Sequence, residues 1–521
     1  MTATGGTREH NSGESAVTEK ADADRIPVII GVGEINDRPG PEDEGLDSLG
    51  LMLAALKAAE QDSGVRVLDR IDWLGVVDQI SFPDPEIHEH LASRLPHRPG
   101  RVIRTPDASG DGPIRLINDA ANLIARGEVR IAAAAGGEAM RTAGQRAAAL
   151  VKAGGTPPPN RLAEAAMAAA TPLARRYGLF WPADVYPFYE NATRAAWGQS
   201  LNDAQRETAE IWAGMSRVAA ANPAAWLRKA VSADAVMTVD DDNRMISFPY
   251  TKMMVANSAV NQGAAVIVAS LATARALGVP EDRIVHIGAG AAAHESDDFL
   301  RREGFTRIPS LEATIQAALE FNATRAADID HVELYSCFPC VPKLARRVIG
   351  WPLDKPHSVY GGLTFGGGPI GNCMMHAAAQ MTQKLRGTAQ KGLIVANGGY
   401  ATHSHSMVFS GAPLPSGTWP RDHDVNATAD RLRGPAPELL DDYAGPGSIE
   451  TFTIPFNRHG APAHAVIVAR TPDGRGRFLA RVPGKDAATL AFLMSADEQP
   501  VGSRGEAVAA GDGAAIWKMT A

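Results

Sequence analysis

The sequence predicts an α/β protein: two duplicated αβαβα halves, a helical domain inserted in the first, and a small β-barrel at the C-terminal end. Three observations carry this. A buried-strand pattern ending in paired glycines occurs twice, as Pro27-Val28-Ile29-Ile30-Gly31-Val32-Gly33 and as Ile284-Val285-His286-Ile287-Gly288-Ala289-Gly290. Short unbroken apolar runs of this kind belong to strands covered on both faces. Each copy leads to a later apolar strand, over 264–270 in the first case and 405–410 in the second. The first interval is the longer, which places an insertion between about residues 141 and 245. Finally, beyond a stretch dense in Pro and Gly, the alternation of helix and strand gives way to short strands alone.

The elements follow in order. Residues 1–25 carry little to bury and read as a disordered tail. The N-terminal half is assigned to 26–275. Within it Ile114, Ile117, Ala121 and Ile124 fall on one helical face, Pro113 suits the first turn, and Gly127 ends the helix before a strand over 129–135. That strand–helix–strand succession builds parallel sheets. The insertion over 141–245 is rich in helix formers, and a domain set into an α/β half in this way usually covers a ligand site. The C-terminal half is assigned to 276–411, a Pro/Gly-rich linker to 412–447, and an OB-like barrel to 448–521. In the last, strands are predicted over 448–456, 463–470, 477–482 and 513–519, with a short helix over 485–495.

Composition narrows the function. Of 521 residues, 51 are Lys or Arg and 59 are Asp or Glu, a net charge of −8 with a pI near 6.0. No global footprint for nucleic acid results. The apolar fraction of 45% supports a large core. The three cysteines lie within 337–373, which excludes a disulfide scaffold, and Cys337-Phe338-Pro339-Cys340 lacks the second pair of a metal site. No run of 18 apolar residues and no apolar leader segment is present, so a cytoplasmic protein without a membrane span is expected. Gly366-Gly367-Gly368 is not a phosphate loop, because no Lys-Ser or Lys-Thr follows.

Four segments carry a family resemblance. His331-Val332-Glu333-Leu334-Tyr335-Ser336-Cys337-Phe338 resembles the E-V-H-D-C-F loop of sterol-carrier-protein thiolases. Gly361-Gly362-Leu363-Thr364-Phe365-Gly366-Gly367-Gly368-Pro369-Ile370-Gly371 resembles G-G-x-x-x-x-G-H-P-x-G. Asn397-Gly398-Gly399 stands where thiolases have Cys-x-Gly, and Gly136-Gly137-Glu138-Ala139-Met140 resembles G-G-x-E-S-M. Over about residues 26–411 the chain thus resembles the thiolase superfamily, and its tail resembles the OB-like extension of thiolase-like proteins, acetyl-CoA acetyltransferase-like in class.

The resemblance implies lipid metabolism, a coenzyme A or acyl-CoA ligand, a homodimer or a monomer, and acyl transfer by a cysteine nucleophile with a histidine and a second cysteine. It also places those three positions on Gly110, Gly368 and Gly398, where no side chain can act. Ordinary thiolysis is therefore not expected, since members of such a set act as a unit. The catalytic candidates that remain are Tyr335, Ser109 and His405. Ser109 stands beside the lost nucleophile position, and its plainer role is to cap the following helix. His405 flanks the Gly398 position and otherwise reads as a strand histidine. Tyr335 falls on the catalytic loop, where a phenol with a lowered pKa can exchange a proton with a β-hydroxyl, as the resemblance to retro-aldol enzymes of the superfamily implies. Gly366, Gly367, Gly368, Gly398 and Gly399 are the candidate backbone cradle for a thioester oxygen. Three functions stay open: acyl-CoA binding, retro-aldol cleavage of an acyl-CoA, and a non-catalytic scaffold. Stabilisation by CoA separates the first two from the third.

Overall fold

The structure, a computed structural model, describes residues 23–40, 44–415, 418–511 and 513–520. The tail reading therefore lies outside the described residues up to position 22.

The first half opens with β1 (Pro27–Asn36), α1 (Ser48–Ser63), β2 (Trp73–Val76), α2 (Ile87–Ser93), β3 (Arg101–Arg104), α3 (Gly112–Ala125) and β4 (Ile131–Ala139). The insertion follows as α4 (Met140–Lys152), α5 (Arg161–Ala169), α6 (Pro172–Arg176), α7 (Pro182–Ala196), α8 (Leu201–Ala221) and α9 (Ala233–Met237), then the short strands β5 (Met245–Phe248) and β6 (Tyr250–Thr251). β7 (Asn261–Ser270) and α10 (Leu271–Leu277) return the chain to the core. The glycines of β1 have a packing role. A Cβ on Gly33 would lie 2.6 Å from the Ala59 amide nitrogen, and one on Gly31 would lie 3.1 Å from Ser63 Cβ, so only glycine lets α1 lie this close to the strand.

The second half holds β8 (Val285–Ile287), β9 (Ala291–His294), α11 (Pro309–Phe321), β10 (His331–Leu334), α12 (Cys340–Ile349), α13 (Cys373–Leu385), β11 (Lys391–Gly398) and β12 (His403–Ser410). The duplication shows in the sheet. The first half runs β3-β2-β4-β7-β1, parallel through β4 and antiparallel after it. The second runs β10-β11-β12-β8 in the same sense. The two glycine-ended strands of the sequence are the ones that meet: β1 pairs antiparallel with β8 at Val28↔His286 and Ile29↔Val285. α1 covers the outer side of one half and α11 that of the other, while α3 and α13 pack between the halves. The result is the αβαβα stack expected.

The C-terminal region contains α14 (Asn426–Leu432), β13 (Glu438–Leu439), β14 (Gly445–Pro455), β15 (His464–Arg470), β16 (Gly476–Pro483), α15 (Ala487–Leu493), β17 (Arg504–Val508) and β18 (Ile516–Met519). Five strands close in the order β14-β15-β16-β18-β17 and back to β14. Their interior is filled by Phe452, Ile467, Phe478 and Trp517.

Two features depart from the sequence reading. The stretch read as linker contains α14, and Val425 and Ala429 are buried against Ala313 and Ala317 of α11. The barrel is also stitched to the rest. β5 of the insertion extends β14 at Phe248↔Ile454, and Tyr177 donates to Leu479 O at 3.0 Å. Arg477 of β16 is fully buried, bonds Leu300 O and Arg302 O at 2.6 Å each, and shares Glu450 with Arg470. Composition marked where the barrel begins; it carried no trace of these tertiary bonds.

Candidate functional site

A cavity of about 920 Å³ lies between the core and the inserted helices. Its floor comes from four chain segments: 106–110 before α3, 335–338 after β10, Gly368 and Ile370, and 399–403 at the β11–β12 turn. Its roof is Leu162, Ala165 and Ala166 of α5 with Trp181 and Tyr186. The lining contains Asp78, Asp107, Asp297 and His403, and no Lys or Arg. Tyr335, Ser109, Gly110, Gly368 and Gly399 all face this one space.

The geometry at the three glycines is specific. A Cβ built on Gly110 would overlap the Tyr335 hydroxyl and lie 2.7 Å from its Cζ. A Cβ on Gly398 would overlap Ser109 Oγ and lie 2.6 Å from Asp111 Oδ1. Tyr335 and Ser109 thus fill the volume that side chains at 110 and 398 would need. Gly368 is less crowded, with Leu363 O at 3.2 Å from a built Cβ. Ile370 beside it has φ 30°, a left-handed conformation that a branched residue adopts only where its surroundings enforce it.

Several expectations change here. Ser109 does not cap the helix; α3 starts at Gly112, and the Ser109 hydroxyl bonds the Asp111 carboxylate instead. Burial pushes the Tyr335 phenol well above 10, with Cys373 and Cys337 adding to the rise. The lowered pKa that proton exchange would need is absent, because the ring is 7% exposed with no cation beside it. His405 is outside the cavity: it is buried, stacks on His423 at 5.7 Å, leaves both ring nitrogens without partners, and is pushed down to about 3 by burial. His403, at the start of β12, lines the cavity; His405 has the same strand parity but lies two residues further along, beyond the cavity's edge. The glycine cradle is partly spent. Gly368 N–H donates to Asn257 O at 2.9 Å and Gly366 N–H to Gly361 O at 3.3 Å, so neither amide is free for a thioester oxygen. Gly366 and Gly367 face Gln262 rather than the cavity.

The sequence reading misses Tyr186; it sets His403 beside His405 as flanking the Gly398 position, reads Asp107 as a helix cap, and counts neither among the catalytic candidates. Tyr186, from the insertion, donates to Gly399 O and accepts from Asn397 Nδ2 and the Ala401 amide, each at 3.0 Å. It fixes the turn that holds Gly398 and His403, and no local signal in a helix reveals such a long-range role. Asp107, raised by burial and then by Asp111, stands at the His403 side of the floor. Cys337 lines the cavity with its thiol pushed up to about 12 by burial, which keeps it protonated and unreactive. Among the described residues no cluster of three or more His, Cys, Asp or Glu side chains is arranged to hold a metal ion, and no helix is long and apolar enough to cross a membrane.

Comparison with known proteins agrees with this architecture. Residues 428–512 match the family model of the thiolase-like protein type 1 additional C-terminal domain. A monomeric SCP2-thiolase like protein type 1 from Mycobacterium smegmatis superposes with a TM-score of 0.80 at 28% identity, over 95% of this chain and 99% of that one. Two further structures share the fold: an Ltp2-ChsH2(DUF35) aldolase (TM-score 0.57, 17% identity, 75% of this chain and 100% of that one) and the dimeric peroxisomal thiolase of Saccharomyces cerevisiae (0.54, 16%, 74% and 97%). No curated protein matches the sequence. The fold is that of thiolases, and residues 428–512 carry the additional C-terminal domain described for thiolase-like protein type 1.

Proposed function

We propose that this protein binds the acyl arm of a CoA thioester in the cavity beneath the inserted helices, and that it does so without thiolysis. The observation that carries the reading is the exchange of side chains on the cavity floor: Tyr335 and Ser109 occupy the space that thiol-bearing residues at 110 and 398 would fill. A largely apolar pocket closed by a few polar groups suits an acyl chain. A solved thiolase in this fold class, human mitochondrial 3-ketoacyl-CoA thiolase, is known in complex with CoA. Monomeric behaviour is the companion expectation, by likeness to the mycobacterial protein. The test is calorimetric titration with acetyl-CoA and longer acyl-CoAs, beside a thiolysis assay on acetoacetyl-CoA. Binding without turnover supports the reading; turnover in the usual enzymatic range of about 1–10³ s⁻¹ overturns it.

A second reading, retro-aldol cleavage of a 3-hydroxyacyl-CoA, is favoured by one arrangement. Tyr335, His403 and Asp107 open onto the same cavity. With its pKa raised, Tyr335 stays protonated and would serve as a hydrogen-bond donor to the substrate oxygen, leaving proton abstraction to His403 or Asp107.

A further inference from the structure

The cavity contains no cation, yet an uncompensated cluster of cations lies beside it. Arg38, which follows β1, sets its guanidinium 4.4 Å above the ring of Trp226, and Arg141 sets its own 5.6 Å from the same ring. Arg38 Nη2 donates to Ala225 O at 3.2 Å and to Trp226 O. Arg228 stands close enough that it and Arg141 both lower the Arg38 pKa, after burial. Among the described residues no carboxylate forms an ion pair with any of the three, in contrast to arginines such as Arg104, Arg307, Arg386 and Arg477. All three guanidinium-bearing residues are exposed, whereas Trp226 is 5% exposed and rigid. Two bonds fix the cluster to the cavity wall. Trp226 N–H donates to Gly366 O at 2.9 Å, two residues from Gly368 of the lining, and Arg141 N–H donates to Asn261 Oδ1 at 3.0 Å, three residues from Ser258 of the lining.

Like charges gathered without counter-charges cost free energy, and an anion that bridges them recovers it. Arginine matches phosphoryl oxygens through paired N–H donors, and an indole held flat beneath two guanidinium groups keeps them splayed to receive it. We infer that Arg38, Arg141 and Arg228 form a ledge for a phosphorylated head group, one whose apolar arm enters the cavity. The pair of features then sorts an amphiphile: the uncharged arm enters a space lined by no Lys or Arg, and the phosphates stay outside on the arginines beside it. This rests on the reading of the cavity as an acyl-arm site.

The test is calorimetry on the full chain with three probes: inorganic pyrophosphate, which reports on the ledge alone; pantetheine, which reports on the cavity alone; and coenzyme A, which spans both. The triple variant R38Q/R141Q/R228Q removes three exposed charges, and R38K/R141K/R228K keeps them. The ledge predicts at least about a tenfold loss of pyrophosphate and CoA affinity in the glutamine variant, partial retention in the lysine variant, and pantetheine unchanged within about twofold, because charge-assisted bonds to phosphoryl oxygens are lost only in the first case. Pyrophosphate that fails to bind wild type, or binds the glutamine variant equally well, overturns the ledge. Pyrophosphate lost in the variant, with CoA no tighter than pyrophosphate and pantetheine silent, upholds the ledge and removes the thioester reading of the cavity instead.

Discussion

Replacing Gly110 with cysteine restores the side chain that the thiolase resemblance asks for, and the structure predicts that the protein rejects it. The built Cβ overlaps the Tyr335 hydroxyl, sits 2.7 Å from Tyr335 Cζ, and also runs into the backbone carbonyl of Asn397. Ordinary Cβ contacts begin near 3.4 Å, so the ring must retreat by most of an ångström. Its retreat is restrained on the protein side: Tyr335 is buried and its backbone amide is tied to Val395 O at 3.0 Å, so the ring can move only into the cavity it lines. The Asn397 carbonyl belongs to the β11–β12 ladder and cannot swing away. Overpacking of this kind costs about 1–3 kcal/mol, and two clashes, one with backbone, place Gly110→Cys near the upper end. At about 2.1 cal/mol/K of unfolding entropy per residue, about 1 kcal/mol is worth about 1 °C in a unit of this size, so the melting temperature falls by about 3 °C. Scanning fluorimetry measures it. In a Tyr335→Ala background the ring is gone, and the added cost of Gly110→Cys drops by at least about 1 kcal/mol, a coupling that a double-mutant cycle isolates. A Gly110→Cys protein that melts with wild type, or costs the same in both backgrounds, shows that Tyr335 does not fill that slot.

Two other outcomes are expected. Arg477→Met strips a fully buried cation from Glu450 and leaves the carbonyls of Leu300 and Arg302 unpaired, so stability falls by about 3–5 kcal/mol and acyl-CoA affinity falls with it; unchanged binding would show that the barrel does not support the site. Stability from two buried carboxyls should also fall as pH rises from about 4.5 to 8. Burial raises Glu138 to about 7 and Glu333 to about 8, so each folded carboxyl holds a proton that the unfolded chain has released, and that stabilisation is lost on passing through the folded pKa. His405 and His357, lowered by burial to about 3 and about 4, have the opposite sign: their stabilisation is complete above the unfolded histidine pKa of 6.5 and is lost as pH falls from there toward the folded values. Each group contributes at most about 1.4 kcal/mol per pH unit; denaturant titration of Glu333→Gln should lose most of the alkaline slope, and a variant retaining it would assign the slope elsewhere.

What was legible in the sequence was legible for local reasons. The glycine-ended strands, the Ile114–Ile124 face and the helix formers of the insertion are short-range patterns, and each produced the element expected. The barrel strands were found from alternation and turn residues, yet the barrel's dependence on Arg477 and β5 was not, because a buried arginine reads as surface until its partners are known. The site divided in the same way. The floor positions were found through motif order, whereas Tyr186 belongs to a helix whose sequence distance from Asn397 exceeds two hundred residues. The Tyr335 pKa was misread because burial, which moves a phenol up, is a property of the assembled cavity.

The losses at 110 and 398 are better understood as one exchange than as separate decay. If the nucleophile position had simply lost its side chain, an empty space would remain on the floor, and cavities of a few atoms cost stability in proportion to their volume. No such space is present: the Tyr335 hydroxyl occupies one position and the Ser109–Asp111 pair the other. Tyr335 is in turn tied through its backbone amide to Val395 of β11, and the turn bearing Gly398 is held by Tyr186 from the insertion. The barrel extends the same chain of supports. Arg477 bonds the carbonyl of Arg302, whose guanidinium bonds Tyr189 Oη and Tyr400 O at 2.6 Å and Thr402 Oγ1 at 2.9 Å, and Tyr400 and Thr402 are cavity wall. A floor filled with fixed polar groups and braced from the insertion and the barrel is the rigid surface that the proposed acyl-arm site requires. Restoring any single thiol to it therefore conflicts with the packing of all the others.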